Sequence, residues 1–412
     1  MPQKPFMKLS DNSNFNILFI LSYYTALQKS VESNNWQPEG MPAVSKLFEE
    51  INTRGIKFNV VFTNKSAKRK TKIIKNERFD SLFYIYDLNL RTKSIFKIIN
   101  PTIIFNFYKF IKSILNKHKS DLIYVDRSNL LIASLLSFIG FKVVFRLHGI
   151  SNFYSNYKSV KFRFLNPLNV LGLYSPFKLI ICTNDGSPSE HFLNKFKFSD
   201  KKLVLLNGVD CSNHRITSFK KKKTKFFKNN FLTLIFIGRF SNDKGIIEFI
   251  KTLIRLKHDK INVNSIIIGD GVLKKEVNSL IANNNLENIH LTGQIEHNQV
   301  YSYLEISDVY ISLNKLGNLS NTVLEAYKTK KCIIVLDECL KTKKDMSTKQ
   351  LFNKNIIYIN RANIIDNLHR EIIKLNNQDY LNIFKNRIRK SKVLIPSWKE
   401  RIKSEINLLE NI

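Results

Sequence analysis

Residues 236–245 read FIGRFSNDKG, and this stretch decides how the 412-residue chain is interpreted. The apolar run at residues 231–237 predicts a buried strand that ends at Gly238. Arg239 and Lys244 follow before a helix-like segment. Because glycine lets a backbone approach a ligand closely and the start of a helix presents free N–H groups, the stretch predicts a site for an anion such as a diphosphate. The alternative is that both cations are ordinary surface residues among the 66 Lys and Arg of the chain.

The same order of strand, turn and helix is repeated downstream. Residues 264–278 read NSIIIGDGVLKKEVN, which predicts a strand, a glycine-rich turn at residues 269–271 and a helix. Residues 306–313 read ISDVYISL and predict another buried strand. Such repeated units are typical of a parallel α/β sheet. Ligands of open parallel sheets bind beyond the carboxyl ends of the strands, where both glycine turns are expected to lie.

Several segments, taken in order, resemble the donor-binding half of glycosyltransferase family 4. Between residues 200 and 345 they are GRF-x3-KG, IIGDG, HLTGQI, ISDVYISL, GNLSNTVLEA and KKCIIVLD. The resemblance implies an α/β protein with the GT-B fold, in which two Rossmann-like domains with parallel sheets face each other across a cleft. It implies an acceptor-binding domain at residues 1–210 and a nucleotide-sugar-binding domain at 211–390. The segment 391–412 would carry a helix, starting at Trp398, that returns to the first domain.

The resemblance also implies roles for individual residues of the second domain. Arg239 and Lys244 match two cations that neutralise the donor diphosphate as the sugar–phosphate bond breaks. Because charge builds on the departing phosphate, fixed cations stabilise the transition state more than the ground state. Asp270 and Gly271 match a turn near the nucleotide base, and Gly238 approaches the donor. Glu325 matches a glutamate that hydrogen-bonds the donor ribose.

Glu325 has a second interpretation, and the loop before it departs from the family. Residues 322–325 read TVLE, a capping-box pattern in which Glu325 would only bond the first backbone N–H of a helix. The family usually carries another glutamate eight positions earlier, where it touches the donor sugar, but this chain has glycine there. A polar loop whose amides and hydroxyls suit phosphate oxygens is predicted from Gly317, Asn318, Leu319, Ser320, Asn321 and Thr322.

Two candidate residues lie in the first half of the chain. His148 follows the predicted strand at residues 142–146, and the resemblance implies that it touches the donor sugar and positions it for transfer. Gly40 lies in a loop after the first predicted strand, and the resemblance implies that it lies near the donor phosphates. The alternatives are that His148 has only a structural role and that Gly40 belongs to an ordinary turn.

The net charge of +33 needs an explanation, and binding of an anionic partner is one. Such an excess binds polyanions, but the sequence has no RRM, zinc-finger or helix-turn-helix signature, so no nucleic acid partner is expected. Basic runs at residues 65–70, 157–164 and 219–228 favour peripheral contact with an anionic membrane. No transmembrane or signal segment is recognised, which predicts a cytoplasmic protein that can contact the inner face of the cell membrane.

The resemblance to glycosyltransferase family 4 implies a retaining glycosyltransferase of the hexosyltransferase type. Its partners would be a nucleotide-diphosphate sugar and a glycan or lipid-linked acceptor in cell-surface polysaccharide synthesis, such as capsule or O-antigen. No cofactor and no metal are expected, because the sequence contains no Asp-x-Asp motif. The alternatives are a nucleotide-sugar epimerase or hydrolase of the same fold, and a non-catalytic protein that binds a nucleotide or glycan.

Overall fold

The structure is a computed structural model, and it describes residues 15–38, 40–64, 71–88, 101–195, 201–210, 227 and 231–412. Its strands follow apolar runs of the sequence, many of them buried along their whole length. In chain order they are β1 (Asn16–Ser22), β2 (Lys57–Asn64), β3 (Lys72–Asn76), β4 (Ser81–Asp87), β5 (Leu122–Asp126), β6 (Val143–Leu147), β7 (Leu179–Asn184), β8 (Lys202–Leu206), β9 (Leu232–Ile237), β10 (Val263–Ile268), β11 (Ile289–Gly293), β12 (Val309–Ser312), β13 (Cys332–Leu336) and β14 (Ile357–Ile359).

The helices connect successive strands and cover the faces of the sheets. The first half carries α1 (Thr25–Glu32), α2 (Pro42–Thr53), α3 (Pro101–His118), α4 (Leu130–Phe138), α5 (Ser151–Lys158), α6 (Val160–Leu165), α7 (Pro167–Gly172) and α8 (Ser189–Leu193). The second half carries α9 (Ile246–His258), α10 (Lys274–Asn283), α11 (His297–Ile306), α12 (Asn321–Lys328), α13 (Met346–Phe352), α14 (Ile364–Leu375), α15 (Gln378–Lys390) and α16 (Trp398–Leu409). Among the residues that the structure describes, no helix has the length and apolar character needed to span a membrane.

The strands form two sheets, as the sequence predicts. Within the described ranges, the first sheet has eight strands in the order β3-β4-β2-β1-β5-β6-β7-β8, and the second has six in the order β11-β10-β9-β12-β13-β14. All pairings of the second sheet are parallel. The first sheet departs from the prediction at one edge, where β3 pairs with β4 in the antiparallel direction. A short turn joins these two strands, and such a connection can only bring the chain back alongside itself.

Each sheet has an apolar core on both faces, because alternate side chains of a strand point in opposite directions. In β1, Phe19 belongs to one cluster and Leu18 to the other. The elements around the first sheet form the first domain, and those around the second sheet form the second domain. The helix α16 packs on the first domain, because Trp398, Ile402 and Ile406 face one side of the helix and join the same cluster as Phe19.

The two domains meet through backbone hydrogen bonds at one side of the cleft between them. The segment after β7 receives bonds from two places in the second domain. The N–H of Asp345 donates to the carbonyl oxygen of Gly186 at 2.7 Å, and the N–H of Leu319 donates to that of Asp185 at 3.1 Å. These bonds hold the end of β7 against the loops that follow β12 and β13.

Candidate active site

The second sheet changes its winding direction at β9, which lies between β10 and β12. Ligands of open α/β sheets bind at such a switch point, beyond the carboxyl ends of the strands. Gly238 follows β9 and residues 314–322 follow β12, so the predicted diphosphate site and the predicted polar loop lie side by side. A cavity of about 130 Å³ opens between them, and its walls include Gly238, Lys244, Asn314, Ser320 and Thr322.

The turn at residues 269–271 packs directly against the turn after β9. The N–H of Gly238 donates to the carbonyl oxygen of Ile268 at 3.0 Å, and that of Phe240 donates to the carbonyl oxygen of Asp270 at 2.9 Å. Gly269 has a φ of +145°, and a Cβ atom there would stand 1.9 Å from the carbonyl oxygen of Gly238. Only glycine fits such an approach of two backbones.

The carboxylate of Asp270 is engaged by its own turn. It accepts a hydrogen bond from the N–H of Gly271 at 2.7 Å and forms an ion pair with Lys274 at 2.6 Å. These contacts lower its pKa, Lys274 first. We therefore find Asp270 and Gly271 at the edge of the cleft, with the carboxylate already paired.

The two predicted cations lie together but differ in burial. Lys244 is half-buried, and burial lowers the pKa of its ammonium group, an effect that the nearby Asp243 opposes. Arg239 is exposed, and within the described residues its guanidinium has no hydrogen-bond or ion-pair partner. Its positive charge also lowers the pKa of Lys244. Two like charges held this close without a full set of partners form a site ready for an anion.

Hydroxyl groups line the opposite wall of the cavity. The hydroxyl of Tyr310 donates to Oγ1 of Thr322 at 2.8 Å, and the hydroxyls of Ser320 and Thr322 are 3.0 Å apart. Ser320 is the N-cap of α12, so the free N–H groups of that helix start at the same place. Asn321 accepts a hydrogen bond from Nδ2 of Asn207 at 2.7 Å.

Two residues of the predicted loop face away from the cavity. Asn318 is completely buried, and its side chain bonds to Ser312, Asn314 and Asp345. Its N–H also donates to Asp345, at 2.6 Å. Leu319 is completely buried in the apolar core behind the loop. The structure thus gives Asn318 and Leu319 positions in which they support the loop, while Ser320 and Thr322 border the cavity.

Gly317 lies against the first domain. A Cβ atom at this position would stand 2.5 Å from the carbonyl oxygen of Asp185 and 2.8 Å from both the carbonyl carbon of Gly186 and the nitrogen of Ser187. These neighbours are backbone atoms, which a side chain cannot displace at small cost. In this arrangement the chain therefore has no room for a glutamate at position 317.

Asp185, which the sequence reasoning missed, brings a carboxylate to the same place. Its Oδ1 accepts hydrogen bonds from the N–H and the hydroxyl of Ser187, whereas no described residue donates to Oδ2. Burial raises the pKa of this carboxyl group, and the charge of Lys244 is among the influences that lower it. Asp185 follows the apolar run of β7, and a search for acidic residues directly after predicted strands would have found it.

His148 precedes a glycine that is in close contact with Asp185. A Cβ atom on Gly149, the next residue, would stand 2.3 Å from Oδ2 of Asp185. Nε2 of His148 is enclosed without a hydrogen-bond partner among the described residues. Burial and the positive charges of Arg146 and Arg127 hold the pKa of His148 well below its usual range. The imidazole is therefore neutral near pH 7, with one nitrogen free to donate and the other to accept.

Glu325 is buried on the first turns of α12 and pairs with a second residue missed from the sequence. Nε2 of His297 lies 2.7 Å from Oε1 of Glu325, whereas Oε2 is enclosed and has no described partner. This hydrogen bond raises the pKa of His297. The capping-box interpretation of Glu325 is wrong, because α12 begins at Asn321 with Ser320 as its N-cap, so Glu325 lies beyond the N3 position.

Gly40 is the last of the predicted site residues. Gly40 lies just before α2, where a Cβ atom would be 3.0 Å from Cβ of Ala26, and its predicted contact with the donor stays a prediction.

Among the described residues, no group of three or more His, Cys, Asp or Glu side chains is arranged to hold a metal ion.

The sequence of the chain is similar to those of known glycosyltransferases. Residues 217–391 match the model of the family described as glycosyl transferases group 1. The chain is 27% identical over 247 residues to an uncharacterized glycosyltransferase of Methanocaldococcus jannaschii, covering 56% of this chain and 61% of that protein. It is 27% identical over 184 residues to the N-acetylgalactosamine-N,N'-diacetylbacillosaminyl-diphospho-undecaprenol 4-alpha-N-acetylgalactosaminyltransferase of Campylobacter jejuni, covering 44% of this chain and 47% of that protein. The similarity thus extends over less than two thirds of the length of each of these two relatives.

A solved structure extends the similarity in fold to almost the whole chain. The Anabaena protein HepE, crystallised in complex with UDP-glucose, has a TM-score of 0.65 and 15% sequence identity, with 97% of this chain and 100% of that chain covered. At this identity the similarity concerns the fold alone. Residues 217–391 of the second domain therefore resemble the family of glycosyl transferases group 1, and the chain as a whole has the GT-B fold.

Proposed function

We propose that the protein is a retaining glycosyltransferase that uses a nucleotide-diphosphate sugar as its donor. One observation carries the proposal: Lys244, half-buried and beside the unpaired Arg239, borders a cavity whose other wall is formed by the hydroxyls of Ser320 and Thr322. This combination of cations, hydroxyls and helix N–H groups suits a diphosphate. The donor bound by HepE in its crystal structure is of the same class.

In the proposed reaction, the bond between the sugar C1 and the diphosphate oxygen breaks and its electron pair stays on the departing nucleoside diphosphate. The acceptor hydroxyl oxygen forms the new bond to C1 on the same face, and its proton passes to the departing phosphate. Lys244 and Arg239 offset the charge that develops on that phosphate. The protein chain needs no covalent step in this scheme.

The first domain would contribute to the sugar side of the site. The neutral imidazole of His148 can donate to or accept from a sugar hydroxyl, depending on its tautomer. Oδ2 of Asp185, close to Gly149 and without a described donor, would supply a carboxylate oxygen from the first domain, whereas position 317 has no room for one. In the second domain, Oε2 of Glu325 is a free acceptor for a ribose hydroxyl.

We further propose that transfer needs no metal ion, because two side-chain cations already occupy the place where charge develops. The acceptor would be a saccharide of a cell-surface polysaccharide, in free or lipid-linked form. The name of the Campylobacter jejuni relative describes transfer to a sugar on diphospho-undecaprenol, which favours a lipid-linked acceptor here as well. Activity that persists in excess EDTA is expected, and loss of turnover that Mg²⁺ or Mn²⁺ restores would contradict the metal-independent scheme.

The decisive experiment first screens nucleoside diphosphates by thermal shift and then supplies the matching sugar donors with glycan and undecaprenyl-diphosphate acceptors. Transfer with retention of the anomeric configuration, followed by NMR, is the expected result. Release or isomerisation of the sugar from the donor alone, at the same rate with and without acceptor, would instead identify a hydrolase or epimerase. Tight nucleotide binding without turnover on any acceptor of the panel would favour a binding protein.

A further inference from the structure

Two short helices on the first domain contribute almost nothing to its core. None of the six residues of α6 is buried, and Gly172 is the one buried residue of α7. Their sequences are nevertheless apolar, reading VKFRFL and PLNVLG. Apolar side chains that a helix exposes without core contacts mark a surface that binds a partner outside the chain.

The exposed side chains of these helices fall into apolar pairs and a basic pair. Val160 and Phe164, one turn apart on α6, are 72% and 77% exposed. Leu168 and Leu171, one turn apart on α7, are also exposed. We call these four residues together with Lys161 and Arg163 the apolar–basic surface.

The segment of the sequence that contains this surface carries ionisable side chains of one sign of charge. Residues 127–184 contain seven Lys or Arg residues and no Asp or Glu. Within the described residues, Lys161 and Arg163 form no ion pair, and both are exposed. The apolar–basic surface therefore presents Phe, Val and Leu side chains between uncompensated positive charges. Helices of this composition lie in the interface of anionic bilayers.

We infer that the apolar–basic surface docks the protein on an anionic membrane. Lys161 and Arg163 would contact lipid phosphates, while Val160, Phe164 and the two leucines would enter the boundary between headgroups and acyl chains. A second copy of the chain is a poor occupant, because a symmetric dimer would place the same positive surface against itself. Nucleic acid is a poor occupant too, since its phosphates offer nothing to four exposed apolar side chains.

The position of the surface connects membrane docking to the cleft. The helix α5 begins three residues after His148 and leads directly to α6. Its eight residues span about 12 Å. One short helix of the first domain therefore separates the apolar–basic surface from the segment that carries His148. The docking itself is independent of the proposed transferase activity, and its use for a lipid-linked acceptor rests on that proposal.

The test is co-sedimentation of the full-length protein with vesicles of phosphatidylglycerol and phosphatidylcholine, compared with phosphatidylcholine alone. Wild type should bind the anionic vesicles and not the neutral ones. The double variant Lys161→Gln/Arg163→Gln should bind about 25-fold more weakly, roughly fivefold for each cation. Val160→Ser/Phe164→Ser should bind at least about tenfold more weakly. Matched controls in the second domain, Lys251→Gln/Lys275→Gln and Ile373→Ser/Ile383→Ser, should change binding less than about twofold.

Three results would overturn the inference. They are wild type failing to bind anionic vesicles, the surface variants binding as well as wild type, and the Val160→Ser/Phe164→Ser variant changing the oligomeric state in ultracentrifugation instead of vesicle binding. Nucleoside diphosphate binding measured without vesicles separates the two proposals. It should be equal in wild type and all four variants, whereas Lys244→Ala should lose it and keep vesicle binding.

Discussion

Gly317 is in contact with the backbone of Asp185 across the two domains, so closely that a Cβ atom on residue 317 would stand 2.5 Å from the carbonyl oxygen of Asp185. This contact explains why the chain has a glycine where the family usually has a glutamate. The space that a glutamate side chain would need is occupied by residues 185–187 of the first domain. Asp185 itself carries a carboxylate oxygen, Oδ2, to which no described residue donates.

Replacing Gly317 with Glu should therefore damage the protein, although it restores the family residue. We expect Gly317→Ala to cost about 1–3 kcal/mol of stability, because the clash is with backbone atoms. Gly317→Glu should cost at least as much and reduce turnover. Thermal unfolding and donor turnover of the two variants separate the steric effect from that of the charge. A Gly317→Glu protein with normal stability and higher turnover would show that the contact with Asp185 is not required.

Asp185→Asn keeps the shape of the side chain and removes its charge. Under the proposed role, kcat should fall about ten- to hundredfold, because the transferred sugar loses a charged hydrogen-bond acceptor. Affinity for the nucleoside diphosphate should stay equal or rise, because a negative charge near Lys244 has been removed. Asp379→Asn, an exposed change on α15, is the control and should alter neither quantity. Wild-type kcat in Asp185→Asn would exclude the carboxylate from sugar binding.

His297 should titrate above its usual pKa of 6.5, because it hydrogen-bonds Glu325. A folded-state pKa that is raised means that the pair stabilises the fold fully below pH 6.5 and that this contribution is lost as the pH rises through the folded-state pKa. NMR of the imidazole protons measures that value directly. In Glu325→Gln the pKa should return towards 6.5, and nucleotide affinity should fall. An unchanged pKa in the variant would show that the two side chains do not interact in solution.

His148 should behave in the opposite way in the same NMR titration. Burial and the charges of Arg146 and Arg127 disfavour its protonation, so its imidazole should stay neutral well below pH 6.5. The pH dependence of turnover near neutrality should then show no step from this group. An imidazole signal of His148 that titrates at or above pH 6.5 would contradict the enclosed position that the structure gives it.

The fold was largely predictable because apolar runs and glycine turns follow the strands closely. The run at residues 231–237 became β9 at Leu232–Ile237. The antiparallel β3 was missed, since its sequence KIIKN is short and only partly buried. The basic run at residues 65–70 and nearly all of the run at 219–228 lie outside the described residues.

The site was only partly predictable, because some of its residues arrive through contacts between distant segments. Arg239, Lys244 and Glu325 stand within one domain, where local motifs identify them. Asp185 reaches the cleft because the end of β7 is bonded to a loop more than 100 residues later in the chain. His297 meets Glu325 because α11 packs next to α12, which no local pattern records.

The central claim is that Lys244 and Arg239 bind the diphosphate of a nucleotide, and calorimetry with nucleoside diphosphates tests it most directly. Wild type should bind the preferred nucleoside diphosphate, and Lys244→Ala should weaken that binding roughly ten- to hundredfold, as expected for the loss of a charged hydrogen bond. Lys251→Ala, an exposed change on α9, should bind like wild type. Equal affinity of wild type and a folded Lys244→Ala protein for the nucleoside diphosphate would contradict the account.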